Sequence, residues 1–125
     1  MKKTEVKRSV RVAERVQAEL MGILLEGQVR DPGVSGVTVN AIKVTEDLRI
    51  AKVYVRLLEA DPSDDRKKAL LAGLERAKGF LRRELGQRLK LKHTPELRFY
   101  WDDLVDEANQ IETLLAEMRE DGEEA

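Results

Sequence analysis

The chain has 125 residues, 38% of them charged, with a formal net charge of −1 and no cysteine. That length suits one ordinary domain with a single core, and the charged fraction is high against a typical ~25%. Without cysteine there is no disulfide, thiolate zinc site or cysteine nucleophile. No apolar run approaches the ~20 residues of a membrane span, and the N-terminal cations have no apolar segment beside them to make a secretory signal. A cytoplasmic protein with no membrane partner is expected.

In chain order, the first helix is expected to start near Thr4 or Ser9, either of which can cap it. Its apolar stripe is Val6, Val10, Ala13, Val16, Leu20 and Leu24, with Arg8, Arg11 and Arg15 turned away. Gly27 suits the position after the helix end, and "RDPG" (30–33) supplies turn chemistry. A strand over 37–44 is rich in Val, Thr and Ile. "TEDL" (45–48) reads as a hairpin loop. A second strand over 50–58 alternates Ala51, Val53, Val55 and Leu57 with Lys52, Tyr54 and Arg56. One face is buried and one wet, as in a sheet with helices on one side.

Ser63 can cap a second helix whose first turn holds Asp64 and Asp65, where the helix dipole favours carboxylates. Its stripe runs Leu70, Leu74, Ala77, Leu81, Leu85 and Leu89, interrupted by Gly73, Gly79 and Gly86. "HTPE" (93–96) stops it. A third strand over 97–101 turns Leu97, Phe99 and Trp101 one way and Arg98 and Tyr100 the other. An acidic helix over 104–118 follows, its stripe formed by Val105, Ala108, Ile111, Leu115 and Met118. Residues 119–125 form an acidic tail expected to be disordered. The order predicts a two-layer α+β sandwich: a three-stranded mixed sheet with helices on one face, the long helix acting as the crossover to strand three.

Charge is unevenly distributed. Residues 66–92 carry Arg66, Lys67, Lys68, Arg76, Lys78, Arg82, Arg83, Arg88, Lys90 and Lys92 against Glu75 and Glu84 alone. Residues 102–125 reverse the sign, with Arg119 the only cation. The near-neutral total is a cancellation, and the asymmetry points to a polyanion-binding face. Arg76, Lys78, Arg82, Arg83, Arg88, Lys90 and Lys92 are the candidate phosphate contacts, with Arg8, Arg11 and Arg15 as a second row. Tyr54 and Tyr100, on wet strand faces, are candidates for base stacking. The opposed charges also suggest an acidic tail that occupies the basic face.

Nothing supports catalysis. His93 has no ligand partner of its own type, and Asp102, Asp103 and Asp106 read as complements of a helix dipole rather than a magnesium site. There is no phosphate-cradling glycine pattern. No metal and no cofactor is implied, and the chain is not expected to be an enzyme.

Four stretches carry a resemblance: "RVAERVQAELMGIL" (11–24), "RDPGV" (30–34), "DLRIAKVYV" (47–55), and "AKGFLRREL" followed by "LKLKHTPELRFYWD" (77–102). With the element order, they make the chain similar to the ribosome-binding factor A family, small-subunit maturation factors with a KH-like domain of the prokaryotic, type II topology. The resemblance implies a single KH-like domain over 1–118, with an α-β-β-α-α-β-α order. The usual Gly-x-x-Gly loop would be replaced by a kink between two helical pieces at Ala77, Lys78 and Gly79. It implies a non-enzymatic RNA-binding factor that joins the small ribosomal subunit, contacts its ribosomal RNA and assists late maturation; a monomer is expected. Two other readings stay open: a KH-like module with another RNA target, and a protein-interaction module using the acidic C-terminal helix. For Gly79, a joint exposing backbone N–H groups to phosphate competes with a glycine needed only for close packing.

Overall fold

The apolar stripes close on one another as two layers in a computed structural model that describes residues 7–124, without the side chains of 105–110 and 121–124. Helix α1 (Arg8–Leu25) leads through a short 3-10 turn (Pro32–Val34) to β1 (Val37–Val44) and β2 (Ile50–Leu57). Helix α2 (Asp64–Leu89) crosses over to β3 (Glu96–Trp101), and α3 (Leu104–Glu124) closes the chain. The sheet order is β1-β2-β3, antiparallel between β1 and β2 and parallel between β2 and β3. This is the mixed α+β topology expected, with α1 and α2 on one face.

The core lies between that face and the two helices. Ala51, Val53, Val55 and Leu57 are buried from β2, and Leu97 from β3. Leu70, Leu74, Leu81, Leu85 and Leu89 meet them from α2. On α1 the buried face is Val12, Ala13, Val16, Leu20 and Ile23, a stripe turned from the one expected: Val10 is 46% exposed, and Leu24 only flanks the core. Both choices satisfy three- and four-residue spacing, and the sheet selects the one that adds Val12 and Ile23. Thr4 and Val6 lie outside the described residues. The helix starts at Arg8 after Lys7, with no side-chain cap.

Caps set the other boundaries. Gly27 follows α1 with φ +73°, which favours glycine. Ser63 accepts the Arg66 N–H at 3.1 Å at the start of α2. The 3-10 turn is capped by Asp31, whose Oδ1 accepts the Gly33 N–H at 3.0 Å. It packs tightly on α2: a Cβ at Gly33 would collide with the Ala69 carbonyl, and one at Gly73 would lie 2.9 Å from Val34. Arg66 ties the same junction, donating to the Gly33 and Ser35 carbonyls at 2.7 and 2.6 Å.

Two features depart from the sequence pattern. The expected pair of helical pieces at Ala77–Lys78–Gly79 is one continuous helix of 26 residues. The i to i−4 ladder tolerates a solvent-facing glycine, and the unbroken leucine stripe on the opposite side keeps one register. The packing alternative also fails, because a Cβ on Gly79 would meet nothing within 4 Å. The second departure is α3, which continues as helix past Met118 to Glu124.

A continuous helix makes Gly79→Ala stabilising, by up to ~1 kcal/mol from helix propensity. Gly33→Ala should destabilise, since the turn must move off α2. Urea unfolding of the two variants beside wild type checks both signs.

Candidate nucleic-acid interface

Parallel pairing of β3 with β2 returns the chain to the end of the sheet where β2 begins. Ile50 pairs with Glu96, and the Glu96 N–H donates to the Arg49 carbonyl at 2.7 Å. The β1–β2 turn, the α2–β3 connection and the start of α1 therefore converge. Arg82 fastens the connection to α2 by donating twice to the Thr94 carbonyl, from Nε at 3.2 Å and Nη2 at 2.8 Å. Gly86 makes room, since a Cβ there would sit 2.7 Å from the Thr94 hydroxyl.

The result is an open groove. One half is lined by Gly79, Arg82, Arg83, Gly86, Gln87, Lys92, His93 and Thr94. The other continues through Arg82, Lys92, His93 and Thr94 to Arg8, Asp47, Arg49 and Glu96. Its cations are Arg8, Arg49, Arg82, Arg83 and Lys92, opposed by Asp47 and Glu96. Both carboxylates are already engaged. Asp47 accepts the Thr45 hydroxyl at 2.6 Å and the Arg49 N–H at 3.0 Å, and these bonds hold it below the usual carboxylate range. Glu96 is lowered chiefly by its hydrogen bond from Arg98 at 2.7 Å. Gly79 opens one wall, leaving helix backbone bare to a ligand.

Of the candidate cations, Arg8, Arg82, Arg83 and Lys92 come together in this groove. The others go elsewhere. Arg76 pairs with Asp31 at 2.7 Å, beside the 3-10 turn. Lys78 pairs with Glu75 at 2.6 Å along α2. Arg15 donates to the Leu89 carbonyl at 3.1 Å and so closes the C-terminus of α2. Arg88 clasps α1 to α2 through Glu26 at 2.8 Å, with Glu19 at 3.6 Å and Glu84 at 3.9 Å. Lys90 caps α2 in the left-handed conformation, and Arg11 is exposed on α1 outside the groove lining. Arg49 and His93 enter the groove although their sequence context marks neither. Only the register of the parallel pair places Arg49 there.

The open face of the sheet is a second surface. Tyr54 and Tyr100 are register partners, stacked with centroids 5.6 Å apart. Lys43 lies 5.8 Å from the Tyr54 ring, while at the end of β3 Trp101, on the core side, is flanked by Arg56 and by Lys67 of α2 at 4.8 and 5.0 Å. Asp102 is buried rather than available to an ion: its Oδ1 accepts the Leu104 N–H at 3.1 Å and its Oδ2 accepts Asn40 at 3.3 Å. Among the described residues no cluster of three or more His, Cys, Asp or Glu could hold a metal. Nor is any described helix long and apolar enough to cross a membrane.

The fold and groove define a KH-like α+β module with a basic cleft at one end of its sheet. Comparison with known proteins places it further: residues 8–115 match the ribosome-binding factor A family, and the chain belongs to that family. Ribosome-binding factor A of Syntrophobacter fumaroxidans is 44% identical over 114 residues, covering 91% of this chain and 96% of the relative. The solution NMR structure of a Thermotoga maritima protein, a candidate ribosome-binding factor A, superposes with a TM-score of 0.66 at 33% identity, covering 80% of this chain and 92% of that one. A homology model of the Thermus thermophilus factor, fitted into a cryo-EM map of its complex with the 30S subunit, matches with a TM-score of 0.52 at 25% identity, covering 70% and 92%.

The Arg88 clasp carries a pH signature. The Arg88 hydrogen bond holds Glu26 below the usual carboxylate range. A lowered carboxylate contributes stability above its ordinary pKa and loses it as pH falls through the lowered value. Glu26→Gln should therefore be less stable than wild type at neutral pH, and the gap should close as the medium is acidified below the ordinary carboxylate pKa. Urea midpoints measured across that range check it.

Proposed function

We propose that this protein is an RNA-binding assembly factor for late maturation of the small ribosomal subunit, acting as a cytoplasmic monomer and without catalysis. Membership of a ribosome-binding family supports the ribosome as partner. The Thermus thermophilus relative fitted on the 30S subunit supports the small subunit in particular. The observation that carries the RNA contact is the groove where Arg8, Arg49, Arg82, Arg83 and Lys92 meet beside the bare backbone at Gly79.

The groove suits folded RNA. Its cations can neutralise phosphates with release of counterions, which gives affinity without reading sequence. The open helix surface at Gly79 admits a sugar-phosphate chain close to the backbone, so selectivity comes from the shape of the RNA. Arg82 and the Thr94 carbonyl fix the wall before RNA arrives, which limits the ordering cost of binding.

Arg83→Glu with Lys92→Glu should weaken binding to small-subunit ribosomal RNA by at least about tenfold near 100 mM salt. The log–log salt slope should fall by roughly 0.7–0.9 for every phosphate no longer neutralised. Arg76→Glu, which touches the Asp31 junction instead, should leave the slope near wild type. Fluorescence anisotropy titrations at several salt concentrations measure both. Wild-type affinity in the Arg83/Lys92 variant would overturn the groove as the RNA contact. In sucrose gradients the wild-type protein should migrate with free small subunits; absence from that peak would favour a KH-like module with another RNA target.

A further inference from the structure

Among the described residues, most of the exposed large hydrophobic side chains lie on α3. Every described side chain from 111 to 120 is exposed, including Ile111 at 57%, Leu115 at 47% and Met118 at 67%. With Leu104 these residues fall within about 60° of one another around the helix axis. A contiguous exposed stripe of this kind marks an interaction surface. Helices α1 and α2 pack on the other side of the sheet, and among the described residues no helix packs over its open face. That face presents the Tyr54–Tyr100 stack, with Tyr100 40% exposed, and Lys43, Lys52 and Arg98 around it.

We propose that α3 folds back over this sheet face and covers it in cis, seating its apolar stripe on the tyrosine pair. Three observations favour α3 as the occupant. Its first residue is already there: Leu104 lines a shallow depression with Ala41, Lys43, Tyr54 and Trp101. The charges match, because residues 102–124 carry Arg119 as their only cation while Lys43, Lys52 and Arg98, the last of them paired with Glu96, flank the stack. The tether is short, with Asp102 and Asp103 alone between β3 and α3, which gives a high effective concentration in cis. Asp102 is held by Asn40, and the swing at exposed Asp103 releases the Leu104 N–H from Asp102 Oδ1. A helix of 21 residues spans ~30 Å, about the length of the 8-residue strands it would cross. Two acidic α3 helices repel each other, which disfavours pairing of α3 with α3 of a second copy. The inference is independent of the RNA groove.

The chain has no cysteine, so paired substitutions test it cleanly. In the full chain, Leu115→Cys with Lys52→Cys should form a short bismaleimide crosslink within one molecule, about tenfold faster than Leu115→Cys with Lys68→Cys on α2. Lys43→Glu with Arg98→Glu should slow it. In the unsubstituted chain, nuclear Overhauser contacts should join the Leu115 methyls to the Tyr54 or Tyr100 rings. Equal rates for the two pairs, a crosslink found only in dimers, or absence of those contacts would each overturn the proposal.

Discussion

The parallel pairing of β3 with β2 is the constraint on which the rest of the molecule depends. Antiparallel neighbours can be joined by a turn, but a parallel partner requires the chain to travel back along the sheet. Here α2 makes that journey in a single stroke, and its length follows from the task. The leucine row of α2 supplies the roof of the core. Because the crossover ends where β2 begins, the α2–β3 connection lands beside the β1–β2 turn. The groove is a product of this connectivity, since none of its walls alone forms a cleft.

The cations of α2 show how tertiary structure divides one basic segment into different jobs. Arg66 and Arg76 serve the junction with the 3-10 turn. Arg88 holds α1 against α2 among three carboxylates. Arg82 straddles two roles, bracing Thr94 while lining the groove. Arg83 and Lys92 are left facing solvent there. A basic run in sequence is therefore an upper bound on the charge available to a polyanion. Pairing with nearby carboxylates reduces the field that an approaching phosphate meets.

Much of this was legible in the sequence, for physical reasons. A strand with one wet face shows period two, so β2 announced itself, while β1, whose alternation a bulge interrupts, was marked by its Val, Thr and Ile content, and the caps at Gly27 and Ser63 marked helix ends by local chemistry. The buried face of α1 was not legible, because Val10 and Val12 are equally apolar and only the sheet decides between them. The break expected at Gly79 came from family resemblance, while the helix itself is held by leucines on the opposite side. The groove was half legible: Arg82, Arg83 and Lys92 could be named, but Arg49 depends on a strand register that single-sequence patterning does not encode.

Lys90 invites a different thought. It ends α2 with φ +53°, a left-handed conformation that glycine adopts freely and that costs other L-residues roughly 1–2 kcal/mol. Natural chains seldom sit at their stability optimum, and selection tolerates such a deficit while the fold remains above its working threshold. Here the deficit sits at the turning point of the crossover and keeps a cation by the negative end of the helix dipole, two residues before Lys92. The chain thus holds latent stability at the position where its basic connection begins, a margin that evolution toward a hotter habitat could draw on.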